Sequence, residues 1–453
     1  MTRSGLSRFG LTAVAAGLAG AALVFSGAGG TVASAQSADG VTFNRDVAPI
    51  LYANCVSCHR PGEVGPMSLI TFANVRPWAS AIKQKVVSRA MPPWGADRAH
   101  GKFANDPSID EQKIRTIAAW VDGGAPEGTG ALPPLPRFAE GWQIGKPDQV
   151  FEMLADFEIP ARGAVDYQYF EVPTNFTEDR WMQAGEVRAG DRSHVHHIIV
   201  YVKEPQASPG VVSIRPIFQP GVEIPRPAAR PAPPAGQPGP AQVLPAASRG
   251  GDNMLVNWAV GEDAPVFQPG MAKRIPAGST LVFQVHYTTN GSAGRDRSRL
   301  GLVFAKNPPT REVRTGVIAN PLFAIPPGAA EHLVEAEAAF SEDVKVWSLH
   351  PHMHLRGKDM TYTVTYPDGR QEVALRVPKF DFGWQTDYHL AAPLALPKGS
   401  KVRVTAHFDN SAANRANPDP SATVRWGDQT WEEMMIGFFT YTVEGGAPRR
   451  ASR

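Results

Sequence analysis

The sequence predicts a multidomain chain: a small all-α domain followed by all-β domains of the jelly-roll or β-sandwich type. Three observations predict it. Between residues 40 and 126, apolar residues recur at helical spacing. Beyond a Pro/Gly-rich break at 128–136, short runs of β-branched and aromatic residues take over, separated by Pro, Gly, Asn and Asp. Within that second part, histidines alternate along one such run, at His350, His352 and His354.

The first residues read as a leader. Arg3 and Arg8 form a basic start, residues 11–25 an apolar core too short to span a membrane, and Ala33-Ser34-Ala35 a cleavage signal. Residues 1–35 are therefore a predicted signal peptide, the mature chain starts at Gln36, and the protein is expected to be exported, periplasmic or secreted. No Arg-Arg pair precedes the apolar core, which points to general secretion. Removing the two arginines takes the formal charge from +2 to 0, which gives no reason to expect nucleic acid as a partner. A hydrophobic content of 43% is ample for packed cores. No further long apolar stretch suggests a membrane span.

Only two cysteines occur, and both lie in Cys55-Val56-Ser57-Cys58-His59. C-x-x-C-H is the attachment pattern for c-type haem: the thiols add to the vinyl groups and the histidine takes an axial position on the iron. A zinc site would need two more ligands close by, and the next histidine is His100. A C-x-x-C redox pair leaves His59 unexplained. Around the motif, 43–51 reads as a first helix. Residues 110–121 read as an amphipathic helix with Ile114, Ile117, Ala118 and Val121 on one face, stopped by Gly123-Gly124. The segment resembles a class I cytochrome c, with Trp120 as its packing aromatic. Met91, on a loop after a helical stretch, is favoured over Met67 as the distal iron ligand, and a His/Met pair suits electron transfer. The resulting division is a haem domain at 36–127 and a linker at 128–145.

Strand-like runs follow at 167–172, 197–202, 281–287, 299–305, 361–366 and 401–408. Residues 205–250, dense in Pro, Ala and Gly, read as a long surface insertion without a core of its own. On a strand the side-chain period is two and the rise about 3.3 Å per residue, so His350, His352 and His354 share one face and can meet at a metal. A structural or solvated histidine run is the competing reading. His196 and His197 are neighbours, and neighbours on a strand face opposite ways; one metal takes both only at a strand end or a bulge. His286 shares a face with Gln284. Met434 taken alone reads as core, although a thioether beside imidazoles selects copper, above all Cu(I). His100, His332, His389 and His407 are scattered and read as structural or exposed.

Taken in order, His196-His197, Gln284-Val285-His286-Tyr287, His352-Met353-His354-Leu355 and Glu432-Glu433-Met434 resemble the type II copper, ascorbate-dependent monooxygenases, the family of peptidylglycine α-hydroxylating and dopamine β-monooxygenases. The resemblance spans residues 146–445. It implies two jelly-roll domains, 146–310 and 311–445, each carrying a copper ion. His196, His197 and His286 would hold an electron-transfer copper. His352, His354 and Met434 would hold the copper that binds O2 and hydroxylates an aliphatic C–H bond of a small substrate. The external electron donor would be ascorbate or a redox protein, with electrons passing through the haem to the first copper and then the second. In the peptide-hydroxylating relatives an arginine that anchors the substrate carboxylate stands where this chain has His350, and a tyrosine where it has Phe438, so a peptidylglycine substrate is not implied. The alternatives are a non-catalytic periplasmic electron-transfer or copper-binding protein, and a β-rich module that docks the haem segment to a partner.

Overall fold

Two hydrophobic cores, each lying between a pair of facing sheets, organise the β part of the chain. The structure, a computed structural model, describes residues 40–448 except 62, 64, 139–140, 205–241, 245–253, 260, 261, 263, 428 and 447. The leader expected at 1–35 and most of the Pro-rich stretch 205–250 lie outside the described residues. Among those described, no helix is long and apolar enough to cross a membrane.

In the first pair, one sheet orders its strands Gln149–Glu152, Arg299–Phe304, Arg180–Arg188, Met271–Ile275 and Arg311–Glu312. The other orders Gln168–Pro173, Thr280–Tyr287, Val195–Lys203 and Met254–Ala259. Alternation explains the core between them: Val195, Ile198, Val200 and Val202 point inward, as do Leu281, Phe283 and Val285. Each such side chain contributes about 1.5–3 kcal/mol on burial.

The second pair faces the strands Arg314–Ala319, Ile436–Val443, Val344–His352 and Tyr388–Leu396 against a sheet ordered Gln371–Val377, Gly357–Thr365, Lys401–Phe408, His332–Phe340 and Gln242–Leu244. A third apolar cluster joins the pairs. Tyr169, Ile199, Tyr201 and Val282 on the outer face of one sheet meet Ile436, Phe438 and Val317 on the outer face of the other. The contact between sheets is therefore itself buried, and both histidine groups lie on it.

The helical segment packs Phe43, Leu51, Val56, Ile82, Ile114, Ile117 and Trp120 into a separate core. The helix expected at 43–51 starts with a wide turn over Phe43–Val47 and continues as Ala48–Asn54. The helix Glu111–Asp122 opens on Asp110, whose carboxylate accepts the Lys113 N–H at 2.8 Å. It ends at Gly123, and Gly124 follows at φ +88°, the left-handed turn that favours glycine.

The expectation of a separate small all-α cytochrome c domain followed by two jelly-roll domains is overturned. Among the described residues, strands make up 38% and helices 11%. The helices are short, and Val41–Arg453 is one compact unit. The physical reason is visible in residues 94–105. Instead of closing a helical domain, this stretch joins the second β core: Ala96 is buried in it, and Trp94 and Phe103 pack on Tyr388 with ring centroids 4.9 and 5.5 Å away. The Ala104 N–H donates to His389 O at 2.8 Å and the Ala391 N–H to Lys102 O at 2.8 Å, so the stretch pairs with the edge of the strand Tyr388–Leu396. Asn105 Nδ2 donates to Asp387 O at 2.7 Å. Sequence periodicity identified the helices but carried no sign that the loop between them belongs to another core. Trp94→Ala is expected to destabilise the whole chain by about 2–4 kcal/mol. A single lowered thermal transition would show it, whereas a change below about 0.5 kcal/mol would make the contact incidental.

Candidate metal centres

Both histidine groups owe their geometry to β-bulges. In the strand Val195–Lys203, the register against Thr280–Tyr287 shifts between Val195 and His197. The extra residue is His196, so Val195 still faces the core while His196 and His197 reach the same outer face. His197 pairs directly with His286 across the ladder, which sets their imidazoles side by side. His196 Nδ1 lies 3.1 Å from His197 Nδ1 and 3.3 Å from His286 Nδ1. Four nitrogens at about 2.0 Å from a tetrahedral ion stand about 3.3 Å apart. The three imidazoles thus have the spacing of a ligand set, and the triad can hold a metal ion. His194, two residues earlier, is excluded from it. Its Nδ1 pairs with Asp191 at 2.7 Å and its Nε2 with Ser292 O at 3.0 Å.

In the strand Val344–His352 the register shifts between Val346 and Ser348 against both neighbours. Val344 and Val346 face the second core. After the shift Leu349 and Met353 do so instead, which turns His350, His352 and His354 onto the outer face. The three share a face, as alternation predicts, but only two resemble a ligand pair. The rings of His352 and His354 are 5.3 Å apart, close to the 5.0–5.3 Å spacing within the triad. His352 Nδ1 donates to Gln385 Oε1 at 2.5 Å and His354 Nδ1 to Glu432 O at 3.2 Å. Each bond fixes the tautomer and leaves Nε2 with a lone pair for a metal. Gln385 is itself oriented, because its Nε2 donates to Phe382 O at 3.3 Å. His350 is buried against Phe438, and its Nδ1 has no hydrogen-bond partner. Met434 packs in the cluster between the sheets, on the same side as Phe438, while Met435 faces the core.

The two groups are neighbours across the contact between sheets. Phe382 stacks on His196 at 5.5 Å and 17°, and lies 5.5 Å from His286 and 6.1 Å from His354. Tyr167 is 4.8 Å from His286 and 6.4 Å from His354. Two aromatic rings thus touch members of both groups. Sequence reading missed Phe382, Gln385 and Tyr167. Gln385 and Phe382 sit on a connection between strands with no motif of its own, and only the fold brings it to the histidines.

Burial keeps these imidazoles neutral. It drives His197 and His352 well below the usual range, His286 down to about 3 with help from His196 and His354, and His354 down to about 4. In the unfolded chain the same groups protonate near 6.5. The unfolded state therefore binds more protons as pH falls from 6.5 toward 4. The stability tied to these four groups is full above 6.5 and lost on acidification. Glu262 and Glu433 oppose this. Burial raises them to about 7 and about 8, so they keep protons that the unfolded chain releases near 4.5, and their contribution falls as pH rises from there. The imidazoles lowered by burial, His196 and His350 among them, outnumber the two raised carboxyls, so net stability rises with pH between 4.5 and 6.5. Metal-free protein is expected to be most stable near pH 6.5. Thermal unfolding at pH 5.0 and 6.5 checks this, and equal midpoints would refute it.

Around the C-x-x-C-H motif, Cys55 and Cys58 are not joined in a disulfide, and burial pushes the Cys55 thiol up to about 12. His59 Nδ1 donates to Met67 O at 3.3 Å, leaving Nε2 available. Gly65 lies against the ring: a Cβ there would stand 2.5 Å from His59 Nδ1. The carbonyl of Met67 is thus behind the imidazole, on the side away from Nε2. Met91, half-buried, follows the helix Ala79–Val87, and its N–H donates to Lys85 O at 3.2 Å. Past the motif, Glu63 pairs with Arg60 at 2.8 Å and with Arg192, which precedes His196 by four residues in the sequence.

No protein-family model and no curated protein matches the chain. Among solved structures, the chain is similar to the infectious bursal disease virus VP2 subviral particle, with 8% identity over 68% of this chain and 74% of that one, at a TM-score of 0.17. A likeness at that level carries no argument about fold or function. What stands is the site itself: a buried triad of imidazoles that can hold a metal ion.

Proposed function

We propose that the protein is an exported haem–copper monooxygenase that inserts one oxygen atom of O2 into an aliphatic C–H bond of a small substrate. The observation that carries the proposal is the pairing of two histidine groups across one buried contact. In the first, Nδ1 atoms converge at 3.1 and 3.3 Å. In the second, both Nδ1 atoms are tied back and Nε2 is left for a metal. His196, His197 and His286 would hold one copper, and His352, His354 and Met434 the other. This matches the ligand order of the ascorbate-dependent copper monooxygenases. The thioether favours Cu(I), the state that reacts with O2. Cys55, Cys58 and His59 would carry a covalent haem. Met91 is the better distal ligand, because the Met67 carbonyl is already engaged behind His59.

Copper, held by these residues, would supply one-electron redox chemistry and O2 activation, and a haem held by Cys55, Cys58 and His59 would supply electron relay. The reaction consumes one C–H bond, one O2, two electrons and two protons, and yields an alcohol and water. The chain's own groups have distinct tasks. Gln385 and the Glu432 carbonyl hold the rings of His352 and His354 in one tautomer. Phe382 and Tyr167 each lie beside histidines of both groups. The Glu63–Arg192 ion pair ties the segment that follows the C-x-x-C-H motif to the loop before His196, and electrons would pass between the two. Purified from an exporting host, the protein is expected to contain two coppers and one covalent haem per chain. Metal analysis combined with a haem stain on a denaturing gel tests this, and a single copper would overturn the two-centre reading.

A further inference from the structure

We propose that Glu433 is a positioning residue for the second metal centre, acting by locking His354 and Met434 into one frame. The inference deepens the function proposed above and rests on it. Residues 431–434 are joined to residues 354–356 at four points. Glu433 Oε2 accepts the His354 N–H at 2.8 Å and Oε1 the Arg356 N–H at 2.6 Å. The Glu432 carbonyl accepts from His354 Nδ1 at 3.2 Å, and the Trp431 carbonyl from Arg356 Nη1 at 2.9 Å. Glu433 is fully buried and Arg356 almost so.

The backbone of Glu433 is anchored independently. Its N–H donates to Arg425 O at 3.1 Å, and its carbonyl accepts from the Gly427 N–H at 3.2 Å. The carboxyl group is therefore fixed at its base and grips the chain at His354 with its tip. Met434 is the next residue. His354 and Met434 lie on segments 80 positions apart in the sequence, and this one side chain spans the gap. Its two oxygens match two backbone donors, a pattern only a carboxyl of this length supplies. A side-chain amide would turn an NH2 group toward one of those donors.

Copper X-ray absorption on Cu(I)-loaded full-length protein, with Cu(I) competition titrations, tests the role. The wild type is expected to show sulfur scattering from one of its two coppers. Glu433→Gln is expected to lose that sulfur signal and to weaken the second centre about tenfold or more, while the all-nitrogen first centre keeps its affinity. Glu433→Asp, too short to reach both donors, should fall between. Absence of sulfur in the wild type would overturn the second centre itself, and this inference with it. Sulfur and affinity retained in Glu433→Gln would overturn the inference alone. Loss of both centres together would also overturn it, since Glu433 would then be holding the fold rather than one site.

Discussion

Met434→Ala is expected to abolish O2 uptake by the reduced protein while leaving the haem absorption spectrum and the first metal centre unchanged. The side chain packs against the apolar cluster between the sheets, of which Phe438 is a member. As the thioether of the proposed set with His352 and His354, it would favour Cu(I). Removing partners that merely orient a metal ligand already costs about 10–100-fold, so losing a ligand should cost at least about a hundredfold in rate. Stopped-flow O2 consumption with the haem band followed in parallel measures both quantities. Full activity in the variant would refute the assignment of the second centre, whereas a changed haem spectrum would point to a folding defect.

The second large effect is expected at the triad. His286→Ala should remove one copper per chain and leave the reduced haem unable to pass electrons on. His286 is the residue that pairs with His197 across the ladder, and its Nδ1 lies 3.3 Å from that of His196. Two imidazoles remain in the variant, and first-centre affinity should drop by at least about two orders of magnitude. His407→Ala is the matched control, because His407 pairs with Asp359 at 2.8 Å away from both groups. Copper content and anaerobic haem oxidation by added Cu(II) separate the two variants. Equal copper content in both would count against the triad as a metal centre.

The histidines of both groups were legible in the sequence because period-two alternation and strand ends are local properties. Alternation placed His350, His352 and His354 on one face. A bulge or strand end was the stated condition for His196 and His197 to act together, and the bulge falls at His196. What was not legible is long-range. Nothing near Gln385 or Phe382 announces that a connection between strands will close over histidines from two sheets. Glu433 stands in Glu432-Glu433-Met434, but its partners are 77 to 79 residues away. The fold class failed for a similar reason. The helices expected around the C-x-x-C-H motif are present, yet Trp94, Ala96 and Phe103 are spent on the β core, and no periodicity within 94–105 reveals which core a loop will join. His350 also changed standing: alternation alone made it a third ligand, whereas its ring lies against Phe438.

The central claim is an electron path from the C-x-x-C-H segment through the triad to an O2-reactive centre. Its most direct test is anaerobic reduction of the full-length protein, followed by exposure to O2 while haem and copper are monitored, with and without prior copper removal. The account predicts rapid haem reoxidation in the copper-replete protein and a reduced haem that persists after copper is stripped. Haem reoxidation at the same rate with and without copper would contradict it.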